Sequence, residues 1–208
     1  MPNKFHLEVL TKDQEKLLPV VKSFSRSFYL VGGTAIALYL GHRESIDFDL
    51  FEYGEFNNIS IKTKFKQNAK IDEIIRSTFD QLTFLSNNVQ FTFFYFPYKI
   101  EVPEKFREII KMPTLLTLAS MKAFALGGRS KWKDYVDLYF ILRDHYKISD
   151  IVKEARKNFG SEFNEKLFRS QLSYFKDINY EESVIFKKGF EVSDKEIKKS
   201  LIEFSLKK

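Results

Sequence analysis

The sequence predicts an α+β protein, in which strands and helices occupy residues 1–112 and a mainly helical region occupies residues 113–208. Strand-like and helical patterns alternate up to residue 112, and only helical spacing continues from Thr114. Hydrophobic residues make up 44% of the 208 residues, so the chain can bury a full core. The absence of cysteine excludes disulfides, thiolate metal sites and cysteine nucleophiles.

Helical and strand signals alternate over the first fifty residues. Apolar residues at helical spacing open the chain, a short apolar run then stops at Gly32-Gly33, and Gly41 ends the next helical segment. Strict alternation of apolar residues with Asp47 and Asp49 follows, which is strand periodicity. We therefore expect a helix over 10–26, a buried strand over 27–31, a helix over 34–40 and a strand over 46–51.

The segment from residue 59 to Pro97 predicts a helix over 59–69 and two or three strands over 71–96. Asn87-Asn88 lies between two apolar runs and is a plausible hairpin turn, although Asn-Gly is the favoured pair. The run 89–96 carries aromatic residues on both faces, which predicts a central, covered strand.

Helical spacing dominates the rest of the chain, with Ser149 and Ser193 as predicted N-caps. The expected helices span 114–127, 131–145, 149–159, 163–175 and 193–206. The 34 Lys and Arg against 28 Asp and Glu give a net charge of +6, which allows a polyanionic partner without requiring one. The first 18 residues lack the apolar core of a signal peptide and no run is long enough to span a membrane, so we expect a cytoplasmic protein.

The first candidate site combines the glycine pair with the two acids of the predicted strand. Asp47 and Asp49 lie on one strand face, where paired carboxylates suit a hard divalent cation such as Mg²⁺. Gly32-Gly33 begins a helix, where backbone N–H groups attract phosphate. Each feature alone has an ordinary explanation, a turn or a solvated strand face. Together they form a layout for phosphoryl transfer from a nucleoside triphosphate.

A second candidate lies in the helical region, where Lys122 and Arg129 would share a helix face if the helix reached Arg129. Asp134 and Asp137 share a face of the next helix at i,i+3 spacing. The functional interpretation is phosphate binding by the two cations. The ordinary alternative is a surface ion pair between Lys133 and Asp137.

Two basic residues and one tryptophan leave alternatives open. His42 follows the helix-ending Gly41, and an exposed or helix-capping role is the favoured interpretation. Arg43 directly precedes the acidic strand and could reach a phosphate. Trp132 could stack a base, although ordinary packing is the default for such a ring.

The sequence resembles the nucleotidyltransferase superfamily in Leu30-Val31-Gly32-Gly33-Thr34 followed by Asp47-Phe48-Asp49. It resembles the AbiEii/AbiGii toxin-type family more narrowly through Met121-Lys122, Gly128-Arg129 and the run from Lys133 to Tyr139. The resemblance implies a polymerase-β-like fold, with a mixed sheet flanked by helices and a helical C-terminal region packed on it. It also implies transfer of NMP from an NTP, with pyrophosphate released. Known relatives are toxins of toxin–antitoxin or phage-defence pairs, and some modify tRNA.

The resemblance also assigns roles to residues. Asp47 and Asp49 would be catalytic and bind Mg²⁺ or Mn²⁺, and Lys122, Asp134 and Asp137 would be the further catalytic positions. Gly32, Gly33 and Thr34 would meet the triphosphate. From the residue patterns, Arg43 and Arg129 are added as further nucleotide-binding candidates. The implied partners are an NTP, an RNA acceptor such as the 3′ end of a tRNA, and a cognate antitoxin protein, without a membrane.

One departure from the superfamily pattern keeps two other functions open. Many members carry a third carboxylate on a later strand, and the corresponding strand here, 89–96, holds no acid and has Thr92 at the expected position. A degenerate module that binds nucleotide or RNA without transfer is the first alternative. A transferase that nucleotidylates a protein, using the same donor site, is the second.

Overall fold

The computed structural model describes residues 5–126 and 128–207, so the predicted helix end at Gly127 and the terminal Lys208 lie outside the described residues. The chain divides into two compact units, the first reaching Thr114 and the second beginning at Leu115. Among the described residues, no helix has both the length and the apolar character needed to cross a membrane.

A mixed sheet forms the centre of the first unit. Its order is β1-β2-β5-β4-β3, with β2 and β5 parallel and the other neighbours antiparallel. The run predicted to be central is β5, which pairs with β2 on one side and β4 on the other. The strands are β1 (Tyr29–Val31), β2 (Asp47–Glu52), β3 (Glu73–Ser77), β4 (Gln81–Ser86) and β5 (Val89–Tyr95).

Helices α1 (Lys12–Ser23), α2 (Gly32–Leu40) and α3 (Asn58–Lys66) accompany the sheet, close to their predicted positions. Phenylalanine rings form much of the core on one sheet face. These rings are buried and lie in edge or stacked contacts, with centroids 4.6 to 6.5 Å apart: Phe24, Phe65, Phe84, Phe91 and Phe93.

A short antiparallel pair, β6 (Glu104–Phe106) and β7 (Ile110–Met112), completes the first unit together with a 3-10 turn at Leu7–Val9. The sequence predicts no strand between Pro103 and Pro113 because three-residue strands show too little periodicity. The two short strands are instead stabilised by pairing with each other.

The second unit is helical, as predicted. Its helices are α4 (Leu115–Leu126), α5 (Trp132–Asp144), α6 (Ile148–Phe159), α7 (Glu165–Leu172) and α8 (Asp194–Leu206). The N-cap prediction is confirmed at Ser193, whose hydroxyl accepts the N–H of Glu196 at 3.2 Å. The prediction is wrong at Ser149, because α6 begins at Ile148. Ser149 therefore lies inside the helix, and Lys147 is the N-cap.

The β4–β5 hairpin turns at Asn87 and Asn88, as predicted, and both residues have left-handed backbones, with φ of 49° and 60°. Two consecutive positive φ values define a type I′ turn, in which glycine is the preferred second residue. We expect Asn88→Gly to leave the free energy of unfolding unchanged or slightly raised, because glycine adopts this conformation without steric cost. Asn88→Val should lower it by about 1–2 kcal/mol. Urea denaturation checks both, and a Val variant as stable as wild type would contradict this turn.

Candidate functional site

The two acids of β2 lie on the sheet face opposite the phenylalanine core. Phe48 and Leu50 are fully buried, whereas Asp47 and Asp49 are half-buried. The parallel pairing with β5 sets Asp47 beside Gln90 and Asp49 beside Thr92. The strand expected to carry a third carboxylate therefore lies next to the acids and presents a threonine there.

The glycine pair makes room for two charged side chains at the first turn of α2. A Cβ atom on Gly32 would lie 1.9 Å from Oδ2 of Asp49, and Gly32 has a φ of +72°. A Cβ atom on Gly33 would lie 2.6 Å from Nη2 of Arg43. Both glycines therefore allow a close side-chain approach, in addition to the N–H groups that the sequence indicated. The start of α2 lies against a carboxylate and a guanidinium.

Thr34 joins the start of α2 to β2. Its buried hydroxyl donates to the main-chain carbonyl of Asp47 and contacts the hydroxyl of Ser45 at 3.0 Å. The side chain of Thr34 therefore fixes the strand that carries the acids. The sequence pattern predicts no role for Ser45, because a serine before a strand carries no signal of a long-range hydrogen bond.

The segment between α2 and β2 lies inside the unit, which corrects the interpretation of His42. The sequence favoured an exposed or helix-capping His42, but its side chain is fully buried. Arg43 is 1% exposed and its Nη1 donates to the carbonyl of Glu44 at 2.9 Å. Gly41 does end α2 with a φ of +70°, as predicted, but the chain that follows turns into the core rather than into solvent.

The donor chemistry of the acidic face fits a divalent cation that takes part of its coordination from a substrate. Within residues 5–126 and 128–207, no three His, Asp or Glu side chains gather into a metal-holding group. Asp47 and Asp49 could supply two carboxylate ligands from one strand face. Mg²⁺ commonly binds through one or two carboxylates and completes its shell with water and substrate phosphates.

In the second unit, Lys122 lies on α4 and forms a buried ion cluster with α5. Its ammonium contacts Oδ1 of Asp134 and lies 3.0 Å from Oδ2 of Asp137. The three side chains are at most 7% exposed. Asp134 and Asp137 therefore share one helix face, as the spacing predicted. The structure brings all three predicted residues of this block together.

Arg129 completes the cluster from the α4–α5 connection. Its Nε donates to Oδ2 of Asp134 at 2.9 Å, and 52% of its side chain is exposed. The α4 helix ends at Leu126, so Asp134 rather than a shared helix face brings Lys122 and Arg129 together. Burial would raise the pKa of the Asp134 carboxyl, but the charges of Lys122 and Arg129 outweigh burial and lower that pKa.

The alternative ion pair between Lys133 and Asp137 is wrong. Asp137 is fully buried against Lys122, and Nζ of Lys133 lies 3.1 Å from Oε2 of Glu182. Residues three and four apart on a helix can form an ion pair. Here the buried carboxylate of Asp137 instead contacts the buried ammonium of Lys122 on α4.

Trp132 is packed, which was its default interpretation. It is 5% exposed, and the ammonium of Lys198 lies 5.4 Å from its ring centroid. Phe175 and Tyr180 face the same ammonium at 5.9 and 5.2 Å. The three rings thus hold α8 against the start of α5 through cation–π contacts.

The close approach of Gly32 to Asp49 predicts a large effect of a single methyl group. In Gly32→Ala, the new Cβ would displace the Asp49 carboxylate and strain a left-handed backbone. We expect the free energy of unfolding to fall by at least about 1–2 kcal/mol. Gly54→Ala is the matched control, because its Cβ would meet nothing closer than 3.8 Å. Equal stability of both variants would contradict the described approach.

The lowered pKa of Asp134 makes the ion cluster a source of acid sensitivity. A folded pKa below the unfolded value means that the ionised carboxylate stabilises the fold above about pH 4, and that this contribution disappears at lower pH. We expect the melting temperature of Asp134→Asn to fall less than that of wild type between about pH 5 and pH 3. Asn68→Ala, at an exposed position just after α3, removes no titratable group and should keep the wild-type slope. Identical slopes for Asp134→Asn and wild type would refute the prediction.

The chain matches known proteins along most of its length. The sequence profile of the family described as "Nucleotidyl transferase AbiEii toxin, Type IV TA system" matches residues 20–204. An uncharacterized protein of Aquifex aeolicus (strain VF5), aq_aa25, is 33% identical over 179 residues, covering 83% of this chain and 86% of that protein.

Two solved structures share the fold at low sequence identity. MenT4, the nucleotidyltransferase toxin Rv2826c from Mycobacterium tuberculosis H37Rv, superposes with a TM-score of 0.63 at 10% identity, over 93% of this chain and 80% of that one. JHP933 from Helicobacter pylori gives 0.56 at 15% identity, over 94% and 91%. The family match and the identity to the Aquifex protein lead to one conclusion: the chain belongs to the AbiEii family of nucleotidyltransferase toxins of type IV toxin–antitoxin systems.

Proposed function

We propose that the protein transfers NMP from an NTP to an acceptor hydroxyl and releases pyrophosphate. The observation that carries this proposal is the arrangement of Asp47 and Asp49 on one strand face, with the Asp49 carboxylate lying against the glycine at the start of α2. Carboxylates for a divalent cation thus lie beside backbone N–H groups suited to phosphate.

The residues of the first unit have distinct roles in this proposal. Asp47 and Asp49 hold the cation, and the N–H groups of Gly32, Gly33 and Thr34 bind the triphosphate. Arg43, whose guanidinium lies against Gly33, contributes positive charge at the same turn. The Thr34 hydroxyl keeps β2 in place through the carbonyl of Asp47.

The transfer forms one bond and breaks another. The acceptor oxygen bonds to the α-phosphorus, the bond from that phosphorus to the bridging oxygen breaks, pyrophosphate leaves, and the hydroxyl proton passes to water. Mg²⁺ or Mn²⁺, when bound, would neutralise phosphate charge and polarise the phosphoryl group. The protein contributes mainly by positioning the reactants, because Thr92 stands beside Asp49 where a third carboxylate could have served as a base.

The residues of the second unit would act largely through Arg129. The ammonium of Lys122 is already bound by Asp134 and Asp137, which leaves it poorly placed to meet a phosphate. The same cluster holds the half-exposed side chain of Arg129, and a guanidinium is well suited to bind phosphate. We assign Lys122, Asp134 and Asp137 as positioning residues and Arg129 as the phosphate ligand.

An RNA acceptor, with the 3′ end of tRNA as the leading candidate, fits the charge distribution. Residues from Leu115 onward carry 19 Lys and Arg against 14 Asp and Glu, which is most of the net charge of +6. A basic helical unit attracts a polyanion. We place the activity in the cytoplasm, where NTPs and tRNA are present, and assign the control of this toxin to a cognate antitoxin.

The proposal is tested by label transfer with an Asp47→Asn/Asp49→Asn variant. Purified protein is incubated with Mg²⁺, each α-labelled NTP in turn, and a mixture of cellular RNA and protein. We expect labelled RNA with wild type and a decrease of at least about a thousandfold in the variant, since metal-assisted phosphoryl stabilisation is worth several kcal/mol. Asp13→Asn/Glu15→Asn on α1 makes the same charge change and should label RNA normally.

The outcomes separate the three functions. Label on RNA that the Asp47/Asp49 variant loses establishes the transferase and its NTP. Label on a protein band instead would support a protein-modifying transferase. Absence of label with all four NTPs, from protein that binds NTP with Mg²⁺, would contradict catalysis and favour a binding module, consistent with Thr92 in place of a third carboxylate.

A further inference from the structure

Two phenylalanine rings continue the sheet face that carries the carboxylates. Side chains alternate along β2, so Asp47, Asp49 and Phe51 point to the same face. The parallel register sets Phe94 of β5 beside Phe51, just as it sets Thr92 beside Asp49. The ring centroids of Phe51 and Phe94 are 5.1 Å apart. The ring pair therefore begins one strand repeat, about 7 Å, beyond Asp49.

These rings differ from the core phenylalanines in their environment. Phe91 and Phe93, on the opposite face of β5, are 0% exposed, whereas Phe51 and Phe94 are half-buried. The ring of Phe96 supports the pair at 5.2 Å from Phe51. Tyr98 in turn packs on Phe96 at 5.2 Å. The pair is thus packed against a further aromatic ring, while part of its own surface remains accessible.

The position of this surface restricts what it can bind. An occupant that reaches both the carboxylates and the rings needs a phosphate or metal-binding end and an aromatic end about one strand repeat apart. A nucleotide has this composition, with ribose between phosphate and base. Bases stack on aromatic side chains with about 1–3 kcal/mol each.

We propose that Phe51 and Phe94 form a stacking platform for a nucleobase of the substrate held at Asp47 and Asp49. This inference rests on the proposed nucleotidyl transfer. The base belongs either to the incoming NTP or to the terminal nucleotide of the acceptor RNA, since both present the same ring chemistry. Because every base has a π-face, the platform binds bases with little sequence preference.

The experiment compares ligands with and without a base in isothermal titration, using Phe94→Leu and Phe94→Tyr. The donor arm uses Mg²⁺ with ATP against Mg²⁺ with inorganic tripolyphosphate. The acceptor arm uses a short oligoribonucleotide against the same oligomer with an abasic 3′ end. Leu keeps an apolar side chain without the ring, and Tyr keeps the ring. Tyr174→Leu, which removes an exposed ring of the second unit, is the control.

We expect the base to strengthen binding to wild type by about tenfold in at least one arm. Phe94→Leu should lose this gain, while Phe94→Tyr and Tyr174→Leu keep it. Tripolyphosphate should bind all variants equally, which also shows that Phe94→Leu is folded. Loss in the donor arm assigns the base to the NTP, and loss in the acceptor arm assigns it to the RNA terminus.

Two negative results have different meanings. If Phe94→Leu keeps the full base-dependent gain in both arms, or if wild type shows no such gain while binding tripolyphosphate, the platform is overturned and the donor site stands. If wild type binds neither tripolyphosphate nor ATP in the presence of Mg²⁺, the proposed function is overturned and the platform with it.

Discussion

The parallel pairing of β2 with β5 is the constraint on which the candidate site of the first unit depends. One register sets Asp47 beside Gln90, Asp49 beside Thr92 and Phe51 beside Phe94. A slip of one residue would turn both carboxylates into the phenylalanine core and expose Phe48 and Leu50. The cost of burying two unpaired carboxylates and exposing two core side chains therefore enforces this register.

The two units hold charged side chains in opposite ways. The proposed division between residues that bind substrate and residues that position others follows this difference. In the first unit, Asp47 and Asp49 are half-buried on a sheet face. In the second unit, two aspartates and one lysine are nearly fully buried and satisfy one another. A buried ion pair of this kind is costly to break, because removing one partner leaves an uncompensated charge. Such a cluster fixes the geometry of α4 and α5 and holds Arg129 through Asp134.

Local pattern was sufficient to predict the elements and the acidic pair, but not the partners of buried polar groups. Alternation and turn residues predicted β2, β5 and the Asn87-Asn88 turn, because these signals lie within a few neighbouring residues. The burial of His42, the bond from Thr34 to the carbonyl of Asp47 and the Lys122 cluster depend on segments that are distant in sequence. The prediction that β5 is covered on both faces is confirmed for the face of Phe91 and Phe93, which are buried, but Phe94 on the other face is only half-buried. The sequence could not show this difference, since aromatic residues on a second face indicate either burial or a binding surface.

Packing and electrostatics together explain why one face of β5 is only partly covered. One face of the strand is sealed by Phe65, Phe84 and neighbouring rings, which anchors the sheet. The other face lies beside the Asp49 carboxylate, and an apolar layer that sealed it would also bury that carboxylate at high cost. Half-buried aromatic rings satisfy both requirements, because they cover part of this face and leave the carboxylates accessible. The aromatic residues that indicated a covered strand therefore include Phe94, whose half-buried ring fits the proposed stacking platform next to a charged site.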